Sequence, residues 1–204
     1  MQHLRTLTKL LAVVGLSVAA ACYPETTVEQ TWTSPTAMRE QPFKRVVTVM
    51  FSENETARRA AEDQLARELL AKGVRASPSY AVLGEQEMPD SEAVRSKLLG
   101  MGFDGVVMMR LVDQHQELEY SPSTFSGYWS YGYPYFYSPG FYSPGYAYTE
   151  TISRVETKAY SLRSGQLVWS ALTKTVTDEE DTKQLIDQTT DVIATQLTRR
   201  GLAG

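Results

Sequence analysis

Two hydrophobic periods alternate along this chain, and their alternation restricts its fold more than any single motif does. Residues 43–51 hold a short β-prone run, Val46, Val47, Val49 and Met50, of the kind a buried strand needs. Ala57, Ala61, Leu65 and Leu69 then recur at four-residue intervals, the spacing of one helical face. Ser52 and Glu55 stand at capping-box spacing before them, and Gly73 supplies a C-terminal stop. Residues 74–83 read as a second strand. Pro89-Asp90 leads into a second helix with Val94, Leu98 and Met101 on one face, and Gly102 ends it. Residues 103–118 begin apolar through Val106, Val107, Met108 and Met109 and turn polar through Gln114, His115 and Glu117, which predicts a strand buried at one end and wet at the other.

Strands that alternate with helices in this way imply crossover connections and a largely parallel first half of the sheet. The second half differs. Residues 149–162 alternate Val155, Thr157 and Ala159 with Arg154, Glu156 and Lys158, and Arg163-Ser164-Gly165-Gln166 turns the chain into residues 167–177, with Trp169 and Ala171 on one face. That pattern is an antiparallel hairpin. From about 182 to 200, Leu185, Ile186, Thr189, Val192, Ile193 and Leu197 repeat at helical spacing, with Arg199 and Arg200 suiting the negative carboxyl end. The acidic run Asp178, Glu179, Glu180 and Asp181 falls where that helix begins and suits its positive end. The expected fold is one α/β (α+β) domain over residues 43–204, in two or three layers, with the order βαβαββα, a mixed sheet and helices packed on it.

A tract from Tyr120 to Tyr148 interrupts the pattern. It holds nine of the chain's twelve tyrosines, with Phe125, Trp129, Phe136 and Phe141, and no charge occurs from Ser121 to Thr149. Tyr137-Ser138-Pro139-Gly140-Phe141 is followed at once by Tyr142-Ser143-Pro144-Gly145-Tyr146, a five-residue near-repeat in which each Pro-Gly favours a turn. Proline throughout disfavours a helix or central strand, so 120–148 is expected to be an inserted, exposed low-complexity loop. Exposed aromatics bury large flat areas at low rotamer cost. The candidate interaction residues are therefore Tyr128, Trp129, Tyr131, Tyr133, Tyr135, Phe136, Tyr137, Phe141, Tyr142 and Tyr146. A protein surface, glycan rings and a membrane interface all suit them, and so does a passive spacer.

The first 21 residues have the parts of an export signal: Arg5 and Lys9, an apolar run from Leu10 to Val18, and Ala19-Ala20-Ala21 before the single cysteine, Cys22. Leu10 to Ala21 as a helix spans only ~18 Å, short of the roughly 30 Å hydrocarbon core, so the segment is an address and not a permanent span. A lone exported thiol cannot pair within its own chain. This stretch resembles the signals of bacterial lipoproteins, in which the cysteine is alkylated by a diacylglyceryl group and becomes the mature first residue. Ala19 stands where leucine is usual, and Ala19-Ala20-Ala21 also suits an ordinary A-x-A signal peptidase, which would leave Cys22 a free thiol. The resemblance implies a palmitate-bearing Cys22 and a membrane anchor without a spanning helix, and Tyr23 in place of aspartate points to the outer membrane facing the periplasm. Loss of residues 1–21 removes two of the 20 basic residues and none of the 24 acidic ones, which leaves a formal net charge of −6 and makes nucleic acid an unsuitable partner. Residues 22–42, polar and carrying Pro24, Pro35 and Pro42, read as a flexible linker, with Trp32 expected to pack back onto the domain and an exposed partner contact as the other reading.

The element order and the turn Leu162-Arg163-Ser164-Gly165-Gln166-Leu167-Val168-Trp169 are similar to those of bacterial envelope lipoproteins that activate peptidoglycan synthases and of the amino-terminal domain of the Tol-Pal propeller protein. That resemblance implies the fold and no particular partner. Enzyme chemistry finds little to work with, since the mature chain has one histidine, His115, and no second histidine or cysteine for a nucleophile pair or a metal site. No catalytic residue, metal ligand or cofactor is assigned. Gly100-Met101-Gly102-Phe103-Asp104-Gly105 fits G-x-G-x-x-G but follows a helix and precedes a strand, the reverse of the dinucleotide-binding context, so it reads as a helix stop and a tight strand start. The expected role is that of a non-enzymatic, lipid-anchored adaptor that meets an envelope protein or peptidoglycan, with a binding protein for cell-wall glycan or a small ligand, using the exposed aromatics, as the alternative.

Overall fold

The structure is a computed structural model that describes residues 26–37, 41–84, 91–121, 124–126, 141–143, 146–177 and 181–204. Its element order is β1 (Thr26–Thr33), β2 (Arg45–Phe51), α1 (Glu55–Ala71), β3 (Arg75–Pro78), α2 (Ser79–Val82), α3 (Ser91–Gly100), β4 (Gly105–Ser121), β5 (Thr124–Ser126), β6 (Phe141–Ser143), β7 (Tyr146–Ser161), β8 (Leu167–Thr177) and α4 (Thr182–Arg199). Six strands form one mixed sheet in the order β1-β8-β7-β4-β2-β3, and β5 and β6 form a separate two-stranded pair. The expected mixed α+β fold is the one observed. β2 runs parallel to both β3 and β4, and β4, β7, β8 and β1 are successively antiparallel.

Alternation of side chains along each strand divides the apolar residues between two cores. On one face α1 and α4 pack side by side over Val46, Val107, Met109, Val155, Ala159, Trp169 and Ala171, with Leu65, Leu69, Ile193 and Leu197 supplied by the helices. On the other face α3 brings Leu98 against Val47, Val49, Phe103, Val106 and Leu162. That second layer covers only one corner, and the side chains of β7 and β8 that face away from α1 and α4 remain partly exposed over most of their length.

Four expectations are corrected. Residues 26–33, expected as flexible linker, form an edge strand in which Thr26 pairs with Thr175 and Thr33 with Trp169. Their β-branched threonines and Val28 favour a strand, and the pairing partner lies far along the chain, where no local pattern can reveal it. Trp32 does not bury itself against the domain, because its place in β1 leaves it 47% exposed. The strand expected over 74–83 is only four residues long before the chain enters α2 at Ser79, since the buried Glu62 carboxylate takes up both the backbone N–H and the hydroxyl of Ser79. α1 is capped by Asn54, whose side chain accepts from the Ala57 N–H, and not by Ser52, whose hydroxyl accepts from the Asn54 N–H. Glu55 turns outward to Arg58 and Arg59.

The glycine-rich hexapeptide behaves as a stop and start. Gly102 has φ +80, available to glycine at little cost. Gly105 lies so close to the buried Phe43 ring that a Cβ there would sit 2.7 Å from its Cδ1. Asp104 between them accepts from the backbone N–H groups of Lys44 and Arg45 and so fixes where β2 and β4 begin.

Candidate functional site

β4 and β7 are much longer than their neighbours and together build the feature that sets this domain apart. Their ladder runs from Gly105 opposite Ser161 to Ser121 opposite Tyr146, with an irregularity between Leu111 and Asp113. Their partners end earlier: β2 pairs with β4 only as far as Arg110, and β8 pairs with β7 only from Thr151 onward. From Gln116 to Ser121 and from Tyr146 to Glu150 the two strands therefore form a ribbon that projects beyond the sheet. Beyond its end β5 and β6 pair in the same sense, Thr124 with Ser143 and Ser126 with Phe141.

This alters the reading of the aromatic tract. Residues 120, 121 and 146–148, expected within an inserted loop, are strand residues of a long hairpin. Proline is confined to the tip beyond Ser121, while Tyr146, Tyr148 and Thr149 have the side chains that strands favour. Phe141 and Tyr142 lie on β6, and Tyr146 opens β7 with 63% exposure. Tyr128, Trp129, Tyr131, Tyr133, Tyr135, Phe136 and Tyr137 lie outside the described residues, as does Cys22.

The ribbon has two unlike faces. Residues directly opposite share a face, so Leu118, Tyr120, Ala147 and Thr149 lie together on one side, and Glu117, Glu119, Tyr146, Tyr148 and Glu150 on the other. The first side carries no charge. Leu118, Tyr120 and Tyr146, at 76%, 67% and 63%, are the three most exposed large hydrophobic side chains among the described residues. On the acidic side the Tyr146 and Tyr148 rings meet at 5.9 Å between centroids, tilted by 47°. Partial burial, reinforced by Glu150 and Glu119, pushes the Tyr148 hydroxyl above the usual tyrosine range.

Where the ribbon leaves the sheet, a line of charges crosses four strands. Arg154 on β7 reaches Glu29 on β1 at 3.0 Å and Asp113 on β4 at 2.7 Å. His115 stands between Asp113, 3.2 Å from Nδ1, and Glu117, 3.1 Å from Nε2. The Arg154 hydrogen bond, helped by His115, holds the Asp113 carboxyl below the usual aspartate range, and Glu29 and Asp113 together raise Arg154. With both ring nitrogens engaged, His115 links Asp113 to Glu117 along β4. Next along this face Glu156 bridges Lys158 at 3.0 Å and Arg110 at 3.1 Å, and its carboxyl is lowered chiefly by Lys158. Among the described residues no cluster of three or more His, Cys, Asp or Glu side chains is arranged to hold a metal ion.

The opposite face holds a mainly apolar cleft of about 210 Å³ between the first turns of α1 and α4, floored by Met50, Met109 and Val155 and rimmed by Ser52, Asn54 and Gln114. No sequence pattern announces it, because its lining comes from five elements. The acidic run before α4 is represented among the described residues by Asp181, whose side chain caps the helix by accepting from the Gln184 N–H. Among the described residues no helix is long and apolar enough to cross a membrane.

No family model and no curated protein matches this chain. Solved structures are similar to it only at a distance. Two crystal structures of the PelC dodecamer from Paraburkholderia phytofirmans are 16% and 18% identical over 87% and 88% of this chain and 99% of theirs, with TM-scores of 0.47 and 0.46. Lipoprotein GNA1162 from Neisseria meningitidis is 12% identical over 76% of this chain and 98% of its own, with a TM-score of 0.41. Likenesses this distant carry no argument about activity, assembly or partners.

Proposed function

We propose that this chain is a lipid-anchored, non-enzymatic envelope protein that works by contact, an adaptor whose α+β domain and projecting hairpin meet other envelope components. The observation that carries the reading is the hairpin. Two strands of 17 and 16 residues extend past every neighbour and end in an uncharged, aromatic tip. Holding Leu118, Tyr120 and Tyr146 out in water forgoes burial worth roughly 1.5–3 kcal/mol for a large apolar side chain, which a contact surface recovers on binding. The anchor follows from the lipoprotein-type signal that ends at Cys22. The only histidine of the mature chain is held between two carboxylates at the base of the ribbon, a structural role.

The Tyr146 and Tyr148 ring pair supports a second reading, a stacking platform for cell-wall glycan. Crosslinking in cells followed by purification separates the two, comparing the intact chain with one lacking 125–146. A specific protein lost on deletion supports the adaptor, whereas retention of both forms on purified peptidoglycan with no protein captured overturns it. Palmitate labelling is expected in the intact chain and absent from Cys22→Ala, and equal labelling of the two removes the anchor.

A further inference from the structure

The strand register places the anchor and the hairpin tip at the same end of the molecule. Thr26 opens β1 opposite Thr175, Thr175 lies opposite Ser153, and Ser153 lies opposite Gln114, so these four residues share one level across the sheet. Traced backwards from Thr26, β1 runs toward the C-terminal end of β8, toward the N-terminal end of β7, and hence toward the tip. Only four peptide units separate Thr26 from Cys22. At ~3.3 Å per residue they reach at most about 13 Å. Along β4 the same distance from Gln114 arrives at Leu118, and the described ladder continues to Ser121. An acylated Cys22 therefore cannot stand farther from the body of the sheet than the ribbon does.

Two alternatives for the bilayer are disfavoured. The far end of the sheet, at the turn between β7 and β8, lies beyond the tether, since β1 alone spans eight residues in that direction. The open edge of β1 within reach of the tether presents Thr27, Glu29 and Gln30, which a bilayer interface does not reward, and its exposed Trp32 lies six residues from Thr26, past the tether's reach. At the tip end, by contrast, the ribbon is amphipathic. Leu118, Tyr120, Ala147 and Thr149 make an uncharged face, and Glu117, Glu119 and Glu150 all lie on the reverse. Tyrosine favours the headgroup level, where its ring meets apolar atoms and its hydroxyl meets water.

We infer that the hairpin lies on the bilayer that holds the Cys22 acyl chains, with the Leu118, Tyr120, Ala147 and Thr149 face on the lipid and the carboxylates turned to water. This rests on the lipid-anchored reading above and assigns the Leu118 and Tyr120 face to the bilayer, leaving the Tyr146 and Tyr148 side of the hairpin and the α+β domain for a partner. The lipid and the ribbon become two attachments that fix how the domain stands, leaving the uncovered sheet face with Arg110, Glu156 and Lys158 to look away from the anchor.

The test uses the full acylated chain in vesicles of phosphatidylethanolamine and phosphatidylglycerol. Its sole natural cysteine being blocked by lipid, a polarity-sensitive fluorophore can be placed at Leu118→Cys, at Tyr120→Cys or, as a distant control, at Ser164→Cys. The expected result is a blue shift at 118 and 120, quenching there by lipids spin-labelled near the headgroup, and at least tenfold weaker quenching at 164. Emission at 118 and 120 matching that at 164, on protein whose mass shows the acyl chains, overturns the orientation and leaves the anchor standing. Emission that shifts only on addition of envelope extract, and not with vesicles, overturns it in favour of a protein partner. A mass without acyl chains removes the anchored reading, and the inference with it.

Discussion

Glu62 is a buried charge whose loss should cost this fold heavily. Its side chain is fully buried, and its carboxylate accepts from the Met50 N–H at 3.0 Å, the Ser79 N–H at 2.9 Å and the Ser79 hydroxyl, with Arg58 at 3.8 Å. Glu62→Ala leaves those donors buried and unpaired, and chemical denaturation is expected to show a loss of about 3 kcal/mol. Nothing in the sequence marks Glu62 out, since it is one of several glutamates on a helix and only the approach of β2 and Ser79 makes it internal. Asp113 offers a pH-dependent counterpart. Its folded carboxyl titrates below its unfolded value, so its stabilising contribution is complete above the ordinary aspartate range and is lost as pH falls through the lowered folded value. Arg154→Ala removes the main cause. Asp113 should then titrate nearer its usual range, as an NMR titration of its carboxyl carbon would show, and the pH-dependent loss should be smaller and complete at a higher pH. An unchanged Asp113 titration in that variant contradicts the assignment.

Elements were legible where their signal is local. The four-residue spacing of Ala61, Leu65 and Leu69 marks the buried face of α1, and Ile193 and Leu197 do the same for α4. The start of α1 was misplaced by two residues because Ser52 and Asn54 are both good caps, and only the backbone path out of β2 selects between them. Asn54→Ala is expected to lower stability by about 1 kcal/mol, and Ser52→Ala by clearly less; equal losses in parallel thermal melts would restore the capping box. The hairpin gives a stronger test. Ser121 and Tyr146 are directly opposed, so Asn-Gly in place of 122–145 supplies a two-residue loop of the preferred turn type. The shortened chain should fold with a thermal midpoint within a few degrees of the parent, because both cores lie at the other end of the ribbon. A large drop would mean that the tip supports the domain.

At the scale of the whole molecule, one sheet brings together segments far apart in the chain. β1 pairs with β8 across roughly 140 residues, and the pairing converts an apparent linker into an edge that holds Thr26 near the base of the hairpin. Under the lipid-anchored reading proposed above, the four-residue tether before Thr26 would orient the domain where one of twenty would only attach it. Local pattern along the chain is enough for the mixed parallel and antiparallel α+β class, the helical faces and the β7–β8 hairpin, because side-chain periodicity and turn chemistry act over a few residues. The lipoprotein-type pattern before Cys22 is read in the same local way. The strand at 26–33, the extension of β4 and β7 by the flanks of the aromatic tract, the burial of Glu62 and Asp104, and the meeting of the start of β1 with the ribbon at one end of the sheet come from the tertiary structure alone. Those features depend on which strands meet and in what register. Pairing between distant segments is settled by the burial of whole faces against one another, and no window along the chain contains that sum.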